Sequence, residues 1–324
     1  MTAAAVTVAG VSKRFGNHTA VDDLSFTVPA GVIYGVLGPN GAGKSTTLRM
    51  MNDIIAPDTG TIELLGRLRP GRAAAPHVGF LPEERGLYPK MRVAEMIGFM
   101  GELRGLTRAD AKTRTTRWLE RLGLGQWHSN KVADLSKGMQ QKVQFACALI
   151  HQPELVILDE PWSGLDPINA DVLRDIVRQE RDRGATVLFS THLMEQAEQI
   201  CEQICIIARG KKVLDGRLAE LKRAAATAGR VALGFVDAAA AARAAPVLAD
   251  PSLVAGPVRR DPTDPLVAEL DVAPAVAPQR LLAALVAAEV GLARFEHVTP
   301  SLHTMFVDAV GRTAAEVAER REVA

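Results

Sequence analysis

Gly38-Pro39-Asn40-Gly41-Ala42-Gly43-Lys44-Ser45-Thr46 has the residue types and spacing of a phosphate-binding loop, GxxxxGK[ST]. The expected ligand is a nucleoside triphosphate. Glycines let successive backbone N–H groups turn inward on the phosphates, and a following helix adds the positive end of its dipole. Lys44 is expected to reach the β- and γ-phosphates and Ser45 to ligate Mg²⁺. Farther along, Leu155-Val156-Ile157-Leu158-Asp159-Glu160 reads as an apolar strand ending in two adjacent carboxylates. Strand alternation sends neighbouring side chains to opposite faces, so the two acids can do different work. Asp159 would hold Mg²⁺, directly or through water, and Glu160 would polarise the attacking water.

These residues need a scaffold. Val32-Ile33-Tyr34-Gly35-Val36-Leu37 reads as a buried strand feeding the loop, and Thr47-Leu48-Arg49-Met50-Met51 continues from it as a helix. Just ahead of the acidic strand, Leu135-Ser136-Lys137-Gly138-Met139 leads into an amphipathic helix around Val143 to Ile150. That stretch resembles the LSGGQ signature of ABC-type ATPases, in the variant LSKGM, and the resemblance runs in order through residues 6 to 220. It implies an α/β fold: a P-loop cassette with a RecA-like core, an antiparallel β subdomain and a helical signature subdomain at about residues 84–150.

The resemblance extends to further motifs. Ser163-Gly164-Leu165-Asp166 matches the family's D-loop, which places Asp166 at the nucleotide. His192, in Ser190-Thr191-His192 after the strand Thr186 to Phe189, matches the switch histidine that senses the γ-phosphate. Phe15, in Lys13-Arg14-Phe15-Gly16, lies where an aromatic stacks on adenine, a contact that uses the ring face. Val78-Gly79-Phe80-Leu81-Pro82-Glu83-Glu84 matches the Q-loop, with Glu83 at the usual glutamine position. A carboxylate there can still meet Mg²⁺ or water, while adding negative charge beside the phosphates. Lys137 replaces the signature's first glycine and Met139 its glutamine. A lysine at a helix start is disfavoured by the dipole unless an anion is near, and an incoming γ-phosphate would supply one.

By the same resemblance, one chain holds half of each active site. Ser136, Lys137 and Gly138 would face ATP bound on Lys44 of a second copy, because only one phosphate loop and one signature occur here. A head-to-tail twofold homodimer, assembled by ATP and opened by hydrolysis, is the expected form. Leu81-Pro82-Glu83-Glu84-Arg85-Gly86-Leu87-Tyr88 and LSKG resemble the branch of bacterial sodium and drug exporters. In that branch the membrane permease is a separate polypeptide. The family's helical subdomain grips a short helix of that permease, which makes Leu87, Tyr88 and Met91 candidates for a docking patch or, equally, for ordinary packing. Val93 to Gly123 reads as helical, with Met96, Phe99, Met100, Leu103, Trp118, Leu119 and Leu122 largely core.

Composition sets further bounds. A chain of 324 residues exceeds one small core and suggests a large domain with a smaller one appended. A net charge of +1 argues against a general nucleic-acid binder. No apolar run of about 20 residues is present, and the start lacks the pattern of a secretory signal, so a cytoplasmic protein peripheral to the membrane's inner face is expected. Cys147, Cys201 and Cys205 do not form a disulfide framework and read as buried small residues. A soluble ABC-type ATPase acting in translation, repair or assembly is the alternative. The single cassette and the absence of inserted coiled coils or zinc modules weigh against it, and Glu160 weighs against a non-hydrolysing switch.

A compositional break follows Leu214 to Glu220, which divides the chain into a cassette (1–222) and an α+β C-terminal domain (223–324). The order there reads as strand (Val231 to Val236), helix (Ala238 to Leu248), two strands (near Leu253 to Val258 and Leu266 to Val272), helix (Pro278 to Glu289) and strand (Leu292 to Val298), which suggests a ferredoxin-like module. Pro300-Ser301-Leu302 then opens a last helix with Ser301 as its cap.

Overall fold

The computed structural model describes residues 3–84, 86–226, 229–261, 264–274, 276–298 and 301–310. The chain divides into two compact units, the first comprising the residues up to Leu218 together with those from Asp308 on, and the second spanning Ala219–Val307. The expected boundary after residue 222 falls inside a helix, Leu218–Ala226, whose own alanines produce the compositional break. Arg85, in the stretch Leu81 to Tyr88 that suggests the exporter branch, Pro300, which opens the last helix of the sequence, and residues 311–324 lie outside the described residues.

The first unit is built on a six-stranded sheet. Strands β3 (Ile33–Leu37), β6 (Leu155–Asp159) and β7 (Thr186–Thr191) are buried along their whole length, as central strands covered on both faces must be. With β5 (Val78–Leu81), β8 (Gln203–Ala208) and β9 (Lys211–Arg217) they pair in the order β5-β6-β7-β3-β8-β9, parallel except for the β8–β9 edge. A second, antiparallel sheet of β1 (Ala4–Phe15), β2 (His18–Pro29) and β4 (Thr59–Leu64) alternates buried and exposed residues and packs its apolar face into the same core as Tyr34, Val36 and Leu48.

Helix α1 (Lys44–Met51) follows β3 directly. The helical stretch expected from Val93 to Gly123 is two helices, α2 (Val93–Leu103) and α3 (Arg108–Arg121). Gly105, at φ 92°, breaks it, and Thr107 caps α3 by accepting the Asp110 N–H at 3.1 Å. Met96, Trp118, Leu119 and Leu122 are core as expected, whereas Phe99 and Leu103 are exposed. Helix α4 (Lys137–Leu149) follows, and α5 (Pro167–Asp182) and α6 (Met194–Glu198) complete the unit. All three cysteines are buried free thiols, and burial pushes that of Cys147 up to about 12.

After α7 (Leu218–Ala226), the second unit runs β10 (Arg230–Phe235), α8 (Ala238–Leu248), β11 (Val254–Arg260), β12 (Val267–Val272), α9 (Pro278–Ala287) and β13 (Leu292–His297). Its sheet is antiparallel in the order β11-β12-β10-β13, the βαββαβ arrangement of ferredoxin-like modules. Leu281 and Leu285 of α9 and Ala240, Ala241 and Ala244 of α8 close its core. Ser301 caps a helix over 302–310, its hydroxyl accepting the Thr304 N–H at 3.2 Å.

Candidate nucleotide site

Residues 38–43 form the turn between β3 and α1, and Lys44, Ser45 and Thr46 open the helix. Two of its glycines are required by close approach as well as by conformation. At Gly38 (φ 151°) a Cβ would lie 2.1 Å from the Ile207 carbonyl oxygen, and at Gly43 (φ 104°) 2.4 Å from that of Ala20. The loop is therefore wedged between β8 and β2, and its outer side borders a cavity of about 350 Å³. Asn40, Gly41, Ala42, Gly43, Lys44, Ser45 and Thr46 line that cavity. Phe15, Glu83 and Glu160 line it too, so four separate stretches of sequence meet there.

Lys44 is 6% exposed and donates to the Gly38 and Pro39 carbonyls at 2.8 and 3.2 Å, with Glu160 Oε1 3.5 Å away. The buried ammonium is thus held over the loop by its own backbone, and the paired carboxylate offsets the cost of removing it from water. Glu160 Oε1 also meets His192 Nδ1 at 3.0 Å. One carboxylate oxygen therefore joins the loop lysine to the residue after β7.

The separation of the two acids comes from a different cause than expected. β6 ends at Asp159, and Glu160 has φ 46°, a left-handed turn residue past the strand. That turn, rather than strand alternation, aims Glu160 at Lys44 and His192 while Asp159 stays under the loop. Ser45 Oγ donates to Asp159 Oδ1 at 3.1 Å. Ser190 Oγ donates to the same oxygen at 2.5 Å and accepts the Glu160 N–H at 3.1 Å. Burial pushes the Asp159 carboxyl above its ordinary value, against the pull of the two hydroxyls. A buried carboxylate beside a serine hydroxyl is a pair of hard oxygen donors suited to a small divalent cation, whose charge would reverse that shift.

Phe15 stands half exposed at the end of β1, outside the core, with Lys13 Nζ 5.7 Å from its ring centre. Glu83 is exposed in the loop after β5. Ser136, Lys137, Gly138 and Asp166 are not among the residues lining this cavity. Ser136 caps α4, accepting the Met139 N–H at 3.3 Å, and Lys137 begins that helix exposed. Asp166 caps α5 through the Asn169 N–H at 3.0 Å, a bond that lowers its carboxyl below the usual range.

Three residues escaped the sequence analysis as site members. Ser190 is named there only as a neighbour of His192. His18 and Ala20 line the cavity, and His18 pairs with Phe15 across the two-residue turn at Gly16-Asn17. Reading that turn as a hairpin would have placed His18 beside Phe15.

Residues 21–163 match a family model described as ABC transporter. The Uncharacterized ABC transporter ATP-binding protein YhaQ of Bacillus subtilis is 43% identical over 218 residues, covering 67% of this chain and 73% of that protein. The Nod factor export ATP-binding protein I of Burkholderia lata is 40% identical over 67% of this chain and 72% of its own length. Among solved structures, that of an ATP-binding subunit of an ABC transporter superposes with a TM-score of 0.62 at 30% identity, covering 68% of this chain and 92% of that one. Among the described residues no helix is long and apolar enough to cross a membrane. The chain belongs to the ATP-binding proteins of ABC transporters, a family that binds and hydrolyses ATP.

Proposed function

We propose that this chain is the ATPase subunit of an exporter, in which two copies clamp head to tail around ATP and drive a separate membrane permease from the cytoplasmic face. The observation that carries the proposal is the division of the site. Phosphate loop, Phe15, Glu83 and Glu160 share one cavity, while Ser136, Lys137 and Gly138 lie outside it, the first two exposed and Gly138 partly buried. A second copy supplying those residues completes the pocket.

Within it, Phe15 stacks on the adenine, and Asn40 to Thr46 bind the phosphates with Lys44 turned from its loop carbonyls to phosphate oxygens. Ser45, Asp159 and Glu83 would hold Mg²⁺, which would supply charge neutralisation on the phosphates. Glu160 accepts a proton from the attacking water, and His192, already on Glu160 Oε1, orients that carboxylate and senses the γ-phosphate. Asp166 faces the junction between the two copies. Export is the direction adopted, in keeping with the Nod factor export protein among the relatives. Leu87, Tyr88 and Met91, with Tyr88 54% exposed and stacked edge-on against the exposed Phe99, offer the apolar patch for the permease.

Mixing two inactive variants tests the shared pocket. Lys44→Ala and Ser136→Arg chains should each fail to turn over ATP. An equimolar mixture should regain about a quarter of parental activity, since half the dimers are mixed and each carries one intact pocket. A mixture as inactive as its parts refutes the head-to-tail arrangement.

A further inference from the structure

Gln141 and Gln144 lie three residues apart on α4, on one face of the helix, and both are 5% exposed. Gln141 Nε2 donates to the Pro161 carbonyl at 2.8 Å, the residue that follows Glu160. Gln144 Nε2 donates to two carbonyls, Pro82 at 3.0 Å and Glu84 at 3.3 Å. These are the residues on either side of Glu83. The other end of the Gln144 amide is costly: its Oε1 is buried without a hydrogen-bond partner. Its neighbours on the helix, Val143 and Phe145, are buried apolar residues, so packing alone would be served by leucine or methionine. What distinguishes glutamine here is the donor pair aimed at the loop.

That loop needs an external anchor. β5 ends at Leu81, and Pro82 has no N–H with which to extend the ladder. Glu83 itself is exposed and lines the nucleotide cavity. Fixing the carbonyls before and after it fixes its backbone while leaving its carboxylate free to reach into the cavity. Ser136, which caps α4, lies eight positions before Gln144, about 12 Å along a rigid helix.

We propose that Gln144 is a positioning residue for ATP hydrolysis, a latch from the signature helix to both sides of Glu83 that sets this carboxylate against the nucleotide and moves it when the signature engages. The proposal rests on the assignment of Glu83 to the nucleotide site. Gln141 gives the Glu160 loop a parallel tie to the same helix.

The test uses the purified full chain and four proteins: parent, Gln144→Met, Glu83→Ala and the double variant. Methionine keeps length and volume and removes both N–H donors. Gln144→Met should lower kcat about tenfold with KM for ATP within about twofold, the pattern of an interaction lost in the transition state. In the Glu83→Ala background the same change should alter kcat by less than about twofold, because the latch then has no carboxylate to hold. Hydrogen exchange should speed up at residues 83–88 and stay unchanged within α4. Gln144→Leu carries the same expectations should the methionine variant fold poorly. A parental kcat in Gln144→Met beside an impaired Glu83→Ala overturns the latch alone. Equal losses in both backgrounds also overturn it, as does unchanged exchange in the loop. A parental kcat in Glu83→Ala removes the carboxylate from the site and the latch with it.

Discussion

Ser190→Ala isolates one hydroxyl on which both acids depend. Ser190 is fully buried on β7; its oxygen donates to Asp159 Oδ1 at 2.5 Å and accepts the Glu160 N–H at 3.1 Å. Removal loses a charge-assisted bond, worth about 1.5–3 kcal/mol, and leaves a buried amide N–H without an acceptor, a further 1–3 kcal/mol or so. Asp159 keeps Ser45, which moderates the first loss. The expected cost is about 3 kcal/mol, or roughly 6–12 °C in the melting temperature of a unit this size. Urea denaturation followed by far-UV circular dichroism reads it directly. The sign of its pH dependence is fixed as well. The hydroxyl supports the ionised form of Asp159, whose carboxyl burial already raises. The gap between parent and variant should therefore widen as pH rises through the range where that carboxyl ionises and shrink in acid, where both proteins carry it protonated. A loss below about 1 kcal/mol at pH 7, or a gap that is flat with pH, refutes the role assigned to the Ser190 bridge.

Lys44→Ala should weaken ATP binding by about 1.5–3 kcal/mol, ten- to hundredfold, from loss of a charge-assisted contact; calorimetric titration showing parental affinity would misplace the phosphates. Glu160→Gln should retain ATP, abolish turnover and accumulate an ATP-bound dimer, visible by sedimentation; hydrolysis at the parental rate would free Glu160 of its role. His151 gives a pH test remote from the chemistry. Burial, then the charge of Arg104, lowers it from an ordinary 6.5 to about 4, with its ring Nε2 donating to the Val78 carbonyl at 3.2 Å. The unfolded chain takes up that proton first on acidification, so stability is full above pH 6.5 and falls by up to about 3 kcal/mol toward pH 4. His151→Gln should flatten that part of the stability curve, and an unchanged curve would place the acid sensitivity elsewhere.

The central strands were legible because burial on both faces leaves no ambiguity of period: Ile33–Leu37 and residues 155–158 are unbroken apolar runs, and each lies in a strand buried throughout. The second unit was legible for another reason. Turn and cap residues punctuate its elements closely: Asp237 caps α8 by accepting the Ala240 N–H at 2.6 Å, and Pro278 opens α9. The helical subdomain was harder to read. Between Leu103 and Arg108 the chain Arg104-Gly105-Leu106-Thr107 carries the αL glycine and the threonine cap of a helix break, but the apolar spacing runs on across it. Periodicity over a long window hid the punctuation, and Phe99 and Leu103 were assigned to a core that turns away from them.

At the site, what the sequence could not carry were the contacts made by residues with no motif of their own. The phosphate loop announces itself because its glycines, lysine and serine are contiguous. Ser190, Gln141 and Gln144 belong to β7 and α4, elements whose spacing explains them as buried positions and gives no hint of what their polar atoms touch. A buried serine or glutamine always needs a partner, and that requirement is visible in sequence, but the partner's identity depends on which strands are neighbours. The pairing of Asp159 with Ser190 exists only because β6 and β7 are adjacent and in register at those two residues. The hydroxyl therefore becomes part of the acidic site through sheet order, a property of the whole first unit. By the same logic the positive φ at Glu160 is unreadable in advance: a glutamate in the left-handed region costs energy locally, and it is held there by the Ser190 acceptor on its N–H and by Lys44 and His192 on its carboxylate. Strain at that residue is the local signature of a group aimed by its surroundings, and the same contacts that hold it are those through which bound phosphate would act on it.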